Sequence, residues 1–176
     1  PPLAQAGTVD AGHGRATRDS HRALPTVATD RATLAAEDFA PFRALADLPM
    51  GMTAHVVYTE LDAERPATLS PDAIAAIRDE IGFRGLLMTD DISMEALAGP
   101  IAARGAAALA AGCDIVLHCN GDMAEMAALA RACPAMSDAA IARADAARAA
   151  RTGPEPADLA ALAAEYEALV PREATR

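Results

Sequence analysis

The apolar positions of the chain form three short runs, each followed by a turn and a segment with helical periodicity. The runs cover residues 52–58, 85–89 and 114–119 and are rich in Val, Leu, Ile and Met. Because a short, continuous apolar run is typical of a strand buried on both faces, the pattern predicts three parallel strands joined by helical crossovers.

The segment after the first run carries the signals of a helix start. Ser70 suits the N-cap, Pro71 the first helical position, and the carboxylate of Asp72 the positive end of the helix dipole. Isoleucines spaced three and four residues apart then mark one buried face of this helix, at Ile74, Ile77 and Ile81.

Further helices are predicted along the rest of the chain. One covers residues 101–111 and stops at Gly112, which suits the left-handed conformation that closes many helices. The others cover residues 123–132, 138–151 and 156–169, with Pro154 between the last two, and residues 39–46 also have a helical pattern. Residues 1–30 show neither periodicity and are predicted to be a loop.

Repeated strand, crossover and helix units predict an α/β fold with a parallel sheet and right-handed connections. Two architectures meet this description, a doubly wound sheet and a (β/α)8 barrel of the TIM type, and three strands do not decide between them. Since a complete barrel usually takes about 250 residues, a barrel formed by these 176 residues is expected to be incomplete.

Composition and charge narrow the class of partner. The chain is 52% hydrophobic but only 3% aromatic, which indicates an aliphatic, mostly helical core, and its formal net charge of −10 argues against binding to nucleic acid. The longest apolar stretch, residues 105–113, is shorter than the roughly 20 residues that cross a bilayer. No basic start leads into an apolar signal segment. We therefore expect a cytoplasmic protein with no membrane partner.

Cysteines and strand histidines give no pattern of metal ligands. Cys113, Cys119 and Cys133 have no metal-like spacing, and the first two lie in apolar runs, so buried thiols are predicted. His55 and His118 lie in the first and third predicted strands without a second ligand at a suitable distance along the chain. Core or pocket-lining positions are expected for both, and no metal site is predicted.

Two carboxylates stand at the end of the second predicted strand, where parallel α/β folds carry their active sites. Because adjacent side chains on an extended chain point to opposite sides, one of Asp90 and Asp91 is expected to be catalytic and the other structural. The amino-terminal loop adds Asp19 and His21, whose spacing allows a carboxylate to orient an imidazole for proton transfer. The alternatives are carboxylates that cap a turn and a histidine in a surface turn.

Six blocks carry a more specific signature. They are Gly12-His13-Gly14-Arg15 leading to Asp19-Ser20-His21, residues 49–56, residues 66–70, residues 81–85, Thr89-Asp90-Asp91 with the following residues 92–94, and residues 111–114. In this order and spacing, from about residue 12 to residue 150, they resemble the bacterial family 3 β-N-acetylhexosaminidases of peptidoglycan recycling.

The resemblance implies a single (β/α)8 barrel and retaining hydrolysis through a covalent glycosyl-enzyme, with no metal or organic cofactor. It implies that Asp90 is the nucleophile, that His21 is the general acid/base on a mobile loop, and that Asp19 is the partner of His21. His13 and His55 are candidate sugar contacts. The implied substrates are cytoplasmic cell-wall fragments that end in β-N-acetylglucosamine.

The chain departs from the family pattern near its start. Where the family has Lys-His before the Gly-His-Gly turn, this chain has Thr8 and Val9, and Ala11 stands where a Pro is usual. Residues 1–176 are interpreted as one partial barrel domain, the carboxyl-terminal half of the family barrel, with a catalytic loop region at 1–30 and a helical tail at 152–176. Self-association through exposed barrel edges is expected of such a half.

Other functions remain open at this point. The chain is an inactive truncated fragment, or a half-barrel that needs a complementary chain, if the sugar contacts of the family's earlier strands are missing. Another family 3 β-glycosidase is a further alternative, although the Asp19 and His21 pair argues against a β-glucosidase, whose acid/base usually comes from a separate domain. A Schiff-base aldolase or lyase lacks its nucleophile, because the chain contains no Lys.

Overall fold

The computed structural model describes residues 15–16, 23–153 and 156–170. Its strands are β1 (Thr26–Val27), β2 (Met50–Met52), β3 (Val57–Tyr58), β4 (Leu86–Asp91) and β5 (Ile115–Leu117). Its helices are α1 (Arg31–Thr33), α2 (Ala40–Arg43), α3 (Pro71–Asp79), α4 (Ile101–Ala111), α5 (Met123–Ala132), α6 (Asp138–Ala149) and α7 (Leu159–Leu169). A π-helical segment, Leu34–Asp38, lies between α1 and α2, and a 3-10 turn, Ala67–Leu69, precedes α3.

The strand pairings of the described residues are all parallel. β4 lies between β2 and β5, and β1 pairs with β3 in a separate two-stranded sheet. Helix α3 connects β2 and β3 to β4, and α4 connects β4 to β5. The predicted α/β class with a parallel sheet is confirmed. Within the described residues, the outer side of β5 is an open sheet edge.

The first predicted strand, residues 52–58, is wrong in extent, because the structure divides it into β2 and β3. The amide of Thr53 donates to the Met88 carbonyl at 2.9 Å, after which the chain leaves β4 and pairs with β1. The side chains of Thr53 and His55 are fully buried at this bend and bond to other buried groups instead of pointing to one face of a flat strand. The polar residues Thr53 and His55 within the apolar run therefore mark the point where the predicted strand is interrupted.

The helix signals around Ser70 and Gly112 are confirmed. The hydroxyl of Ser70 accepts a hydrogen bond from the amide of Ala73 at 3.2 Å, and Gly112 closes α4 with a φ of 115°. Helices α4 and α5 have the predicted bounds. The predicted apolar face of α3 and the turn after it is buried, at Ile74, Ile77 and Ile81.

Four further predicted segments differ from the structure. Helix α6 ends at Ala149, and α7 starts only at Leu159, because the Asp158 carboxylate caps it by accepting from the amides of residues 160 and 161. Of the helical pattern at residues 39–46, only α2 at residues 40–43 forms a helix, with Pro41 in its first turn, where no amide hydrogen is needed, and with the π-helical segment before it. β1 interrupts the predicted loop of residues 1–30.

The predicted burial of all three cysteines is wrong for two of them. Cys113 is buried, Cys133 is partly exposed and Cys119 is exposed. The reason for Cys119 is that β5 ends at Leu117, earlier than the predicted strand end, which leaves Cys119 in the following loop. Among the described residues, no helix has the length and apolar character needed to cross a membrane.

A buried ion-pair cluster ties the amino ends of the strands to two helices. Asp114, whose side chain is 4% exposed, accepts hydrogen bonds from Arg78 of α3 at 2.9 Å and from Arg143 of α6 at 2.8 and 3.0 Å. It also accepts from the amide of Leu87 in β4 at 2.9 Å. Arg78 in turn donates to the carbonyl of Gly85 at 2.8 Å. One carboxylate therefore holds β4, β5, α3 and α6 together.

The surroundings of Asp114 favour its charged form. Burial alone would raise its pKa, but the hydrogen bonds from Arg143 and Leu87 and the charges of Arg78 and Arg143 outweigh burial and hold the pKa below its usual value. The folded chain thus releases this proton more readily than the unfolded chain does. Its stabilising effect is complete above the unfolded pKa of about 3.9 and is lost as the pH falls through the lower folded pKa.

We predict that Asp114→Asn lowers the free energy of unfolding by about 3 kcal/mol, near the lower end for removal of one partner from a buried ion pair. Arg143, at 32% exposure, keeps some contact with water. Urea unfolding measures the loss. Asp79→Asn is the matched control, because Asp79 pairs with Arg84 at 3.8 Å on the surface and is 74% exposed.

Two outcomes would contradict this account of Asp114. One is an equal loss of stability in the Asp114 and Asp79 variants. The other concerns pH: the difference in stability between wild type and Asp114→Asn should shrink below about pH 4, and a difference that stays constant into more acidic solution would be inconsistent with the depressed pKa.

Candidate active site

The candidate site lies at the carboxyl end of β4. Asp90 and Asp91 are the last two residues of this strand, as the sequence predicted for Asp90, and both are partly buried. One oxygen of the Asp90 carboxylate accepts a hydrogen bond from the backbone amide of Asp91 at 2.7 Å. The side chain is therefore directed by its own backbone neighbour at the edge where parallel strands present reactive groups.

Asp91 has the contacts of a structural carboxylate. It accepts hydrogen bonds from the amide and the hydroxyl of Ser93, at 3.0 and 2.5 Å, and from the amide of Cys119 at 3.1 Å. These bonds join the loop after β4 to the loop after β5. The predicted division of the pair fits this arrangement, with Asp91 as the structural member.

The pKa of Asp91 is lower than usual. Burial acts to raise it, but the hydroxyl and amide of Ser93, the amide of Cys119 and the nearby imidazole of His118 lower it by a larger amount. Asp91 is therefore an acceptor that stays ionised and keeps its three donors in place. Cys119 is mostly exposed, but the partial burial of its thiol and the negative charges of Asp91 and Asp90 raise its pKa. The raised pKa favours the protonated thiol.

His55 supports the site from the bend between β2 and β3. The residue is fully buried, its Nε2 atom is 2.9 Å from the carbonyl oxygen of Asp91, and its Nδ1 atom is 2.8 Å from the hydroxyl of Thr68. The predicted core position of His55 is confirmed. The contact of both ring nitrogens with protein groups favours a supporting role over the sugar contact suggested by the resemblance.

His118 lies where β5 gives way to its loop. Its Nε2 atom is 3.2 Å from the carboxylate of Glu125, which also accepts from the amide group of Asn120 at 2.7 Å. The His118 side chain is 5% exposed and lines a cleft of about 660 Å³ beside β5. Its predicted core or pocket-lining position is confirmed. In the part of the chain that the structure describes, its Nδ1 atom has no hydrogen-bond partner.

Several predicted site residues lie outside the described residues, namely Asp19, His21 and His13, together with Thr8, Val9 and Ala11. The described remainder of the Gly-His-Gly-Arg block is Arg15, which donates to both carboxylate oxygens of Asp38 at 2.9 and 2.7 Å and also bonds to Glu37. Within residues 15–16, 23–153 and 156–170, no group of three or more His, Cys, Asp or Glu residues is arranged to hold a metal ion.

Sequence reasoning missed the groups that support the carboxylate pair. Thr53 and Thr68 are fully buried and lie 2.9 Å apart through their hydroxyls, next to His55. The available signal was the polar character of Thr53 and His55 within an apolar run. Nothing in the spacing of the sequence pointed to Thr68, which comes from the 3-10 turn before α3.

We predict that Asp91→Ala destabilises the chain by about 2 kcal/mol, because three donors lose a charged acceptor. Asp90→Ala is the matched control and should cost less, since Asp90 accepts only from the adjacent amide among the described residues. Urea unfolding of both variants is the measurement. A loss for Asp90→Ala as large as that for Asp91→Ala would contradict the assignment of the structural role to Asp91.

Comparison with known proteins gives these features a family context. The model of the glycosyl hydrolase family 3 N-terminal domain matches residues 9–151. A beta-hexosaminidase from Alkalilimnicola ehrlichii is 44% identical over 123 residues, which cover 67% of this chain and 35% of that protein. One from Bordetella pertussis is 41% identical over 128 residues, 70% of this chain and 36% of that protein. The chain therefore spans about a third of the length of these curated relatives.

Solved structures share the fold. NagZ from Neisseria gonorrhoeae in complex with N-trifluoroacetyl-D-glucosamine has a TM-score of 0.67 and 34% identity, covering 77% of this chain and 40% of that one. A family 3 β-N-acetylglucosaminidase from a Paenibacillus species has a TM-score of 0.68 and 26% identity, covering 88% and 34%. The two architectures that the sequence left open are thereby decided. The fold is of the TIM-barrel type, and the described residues form part of such a barrel.

Proposed function

Because the chain belongs to the family of the glycosyl hydrolase family 3 N-terminal domain, we propose that it serves as a retaining β-N-acetylhexosaminidase with Asp90 as its nucleophile. The observation that carries the proposal is the position of Asp90 at the carboxyl end of β4, with its carboxylate oriented by the Asp91 amide. The similarity to proteins named beta-hexosaminidase supports the choice of an N-acetylated sugar.

In the proposed reaction, a carboxylate oxygen of Asp90 attacks the anomeric carbon as the bond from that carbon to the leaving-group oxygen breaks. His21 gives its proton to this oxygen, and Asp19 stabilises the imidazole. In the second half, His21 takes a proton from water while the water oxygen replaces Asp90 at the anomeric carbon. Two displacements on opposite faces retain the configuration of the sugar.

The proposed substrates are cell-wall fragments with a terminal, non-reducing β-N-acetylglucosamine, hydrolysed in the cytoplasm as part of peptidoglycan recycling. A chain without Lys and with a net charge of −10 suits a neutral sugar better than a polyanion. Support for the sugar comes from the related structure of NagZ, which is in complex with N-trifluoroacetyl-D-glucosamine.

A second candidate is a half-barrel that acts only with a complementary chain, or a chain that is inactive alone. The open outer edge of β5 within the described residues favours it, as does the cleft of about 660 Å³ beside that strand. Apolar side chains line this cleft, including Val116, Met126, Leu129 and Met136. A strand of a complementary chain, placed against this edge, would pair the backbone N–H and C=O groups of β5 and cover the apolar cleft. Self-association of two copies of the chain through the same edge is the alternative.

We predict that the purified chain hydrolyses an aryl N-acetyl-β-glucosaminide with retention, in preference to an aryl β-glucoside, and that Asp90→Ala abolishes this turnover. Because Thr8 and Val9 replace the expected Lys-His pair, the rate should fall more than tenfold below that of Neisseria gonorrhoeae NagZ, through loss of substrate positioning. Hydrolysis is followed by release of the aryl alcohol and by NMR of the first sugar anomer formed.

The controls separate the candidate functions. His21→Ala should retain more activity on a nitrophenyl glycoside, whose leaving group needs little protonation, than on a disaccharide. Turnover that requires an added amino-terminal half of NagZ, and is absent without it, identifies the half-barrel. Preference for the glucoside identifies another family 3 glycosidase, and undiminished turnover in Asp90→Ala would refute the proposed mechanism.

A further inference from the structure

The carbonyl oxygen of Asp91 is held by a buried side chain from outside its own strand. His55 Nε2 lies 2.9 Å from this oxygen, and His55 is 0% exposed. A carbonyl oxygen only accepts hydrogen bonds, so Nε2 carries a hydrogen and donates it in either charge state of the ring. The direction of this bond is therefore fixed by chemistry.

The imidazole is oriented from its other side as well. Its Nδ1 atom is 2.8 Å from the Thr68 hydroxyl, which lies 2.9 Å from the Thr53 hydroxyl and 3.1 Å from the Ala54 carbonyl. Thr53 and Thr68 are fully buried, like His55. Thr68 belongs to the 3-10 turn that leads into α3, so the orientation of the ring is tied to the packed core.

Asp91 transmits this restraint to the nucleophile. Its amide donates to the Asp90 carboxylate at 2.7 Å, while its own carboxylate is held by the amides of Ser93 and Cys119. With its carbonyl fixed by His55, Asp91 is restrained by hydrogen bonds at its amide, its carbonyl and its side chain. The amide that directs the Asp90 carboxylate therefore has little freedom to rotate.

We propose that His55 is a positioning residue for the reaction, which acts through the Asp91 backbone to align the Asp90 carboxylate. This inference rests on the proposed function of Asp90 and replaces the suggested role of His55 as a sugar contact. An apolar side chain at this position would leave the Asp91 carbonyl with the local amide of Met94, at 3.2 Å, as its remaining donor and would remove the contact that ties it to the core. Gln is the conservative replacement, because its side-chain amide offers a donor at about the distance of Nε2.

The structural test is backbone hydrogen exchange of the 176-residue chain, followed by NMR. His55→Leu fills the buried position with an apolar side chain and removes the hydrogen-bond donor. It should speed exchange of the Asp91 amide about tenfold, because that is the effect of losing roughly one net hydrogen bond. The Leu87 amide, at the opposite end of β4, serves as the internal reference. His55→Gln should restore most of the protection of Asp91 relative to Leu87.

The matched control is Ser70→Ala. Ser70 is also fully buried and its hydroxyl accepts from Ala73, so its loss weakens α3 without touching the Asp91 turn. Protection of Asp91 and Leu87 should then fall together. The proposal is overturned if His55→Leu changes the Asp91 to Leu87 ratio no more than Ser70→Ala does, or if His55→Gln is no better than His55→Leu. If His55→Leu does not fold, Thr68→Val takes its place, because it removes the hydroxyl that contacts Nδ1. It should likewise speed exchange of the Asp91 amide relative to the Leu87 amide.

A kinetic arm distinguishes positioning from sugar binding. With an aryl N-acetylglucosaminide, His55→Leu should lower kcat by about tenfold to a hundredfold with little change in KM, because a misplaced nucleophile slows chemistry. His55→Gln should recover much of kcat. A raised KM with unchanged kcat would overturn the positioning role. Absence of turnover in the wild-type chain would count against the proposed function. The exchange ratios would still decide whether His55 restrains the backbone of Asp91.

Discussion

The buried carboxylate of Asp114 is the contact on which the arrangement of the strands depends. It begins the segment that becomes β5, yet it bonds to the backbone of β4 and to arginines of α3 and α6. A buried charge is tolerated only when it is paired and hydrogen-bonded, and here four donor contacts meet that condition. Asp114 therefore holds the amino ends of β4 and β5 together.

The stabilising cluster and the proposed active site lie at opposite ends of β4. The cluster around Asp114 lies near the start of β4, and the carboxylate pair lies at its end. Between them, β4 is mostly buried and pairs on both sides, with β2 and with β5. A strand held firmly at one end can present Asp90 in a defined direction at the other, where polar loops collect. Stability and the proposed catalysis then depend on different residues.

The sequence predicted the elements whose signals are local. Ser70 and Gly112 marked helix ends correctly, because capping depends on the residue itself and its immediate neighbours. The break between β2 and β3 was missed, because it depends on buried partners of Thr53 and His55 that come from a distant turn. Asp114 was likewise seen only as part of a motif, since its partners Arg78 and Arg143 lie far from it along the chain.

For the candidate site, too, the sequence predicted the local features and missed the contacts between distant residues. The position of Asp90 followed from the rule that parallel strands carry active groups at their carboxyl ends. Strand alternation predicted only that one of Asp90 and Asp91 is structural, and the choice of Asp90 as the nucleophile came from the family resemblance. The contact of His55 with Asp91 was not predicted, because the acceptor is a backbone oxygen that has no signature in the sequence. Asp19 and His21 lie outside the described residues, and their assignment stays a prediction from resemblance.

A direct measurement tests whether Asp90 forms the proposed covalent bond to the sugar. An N-acetylglucosaminyl fluoride with a second fluorine on the ring slows hydrolysis of a glycosyl-enzyme enough for the adduct to be located by mass spectrometry of peptides. We expect one equivalent of sugar on Asp90 and none in Asp90→Ala. An adduct on Asp91 or on another residue, or hydrolysis of this probe without any adduct, would contradict the account.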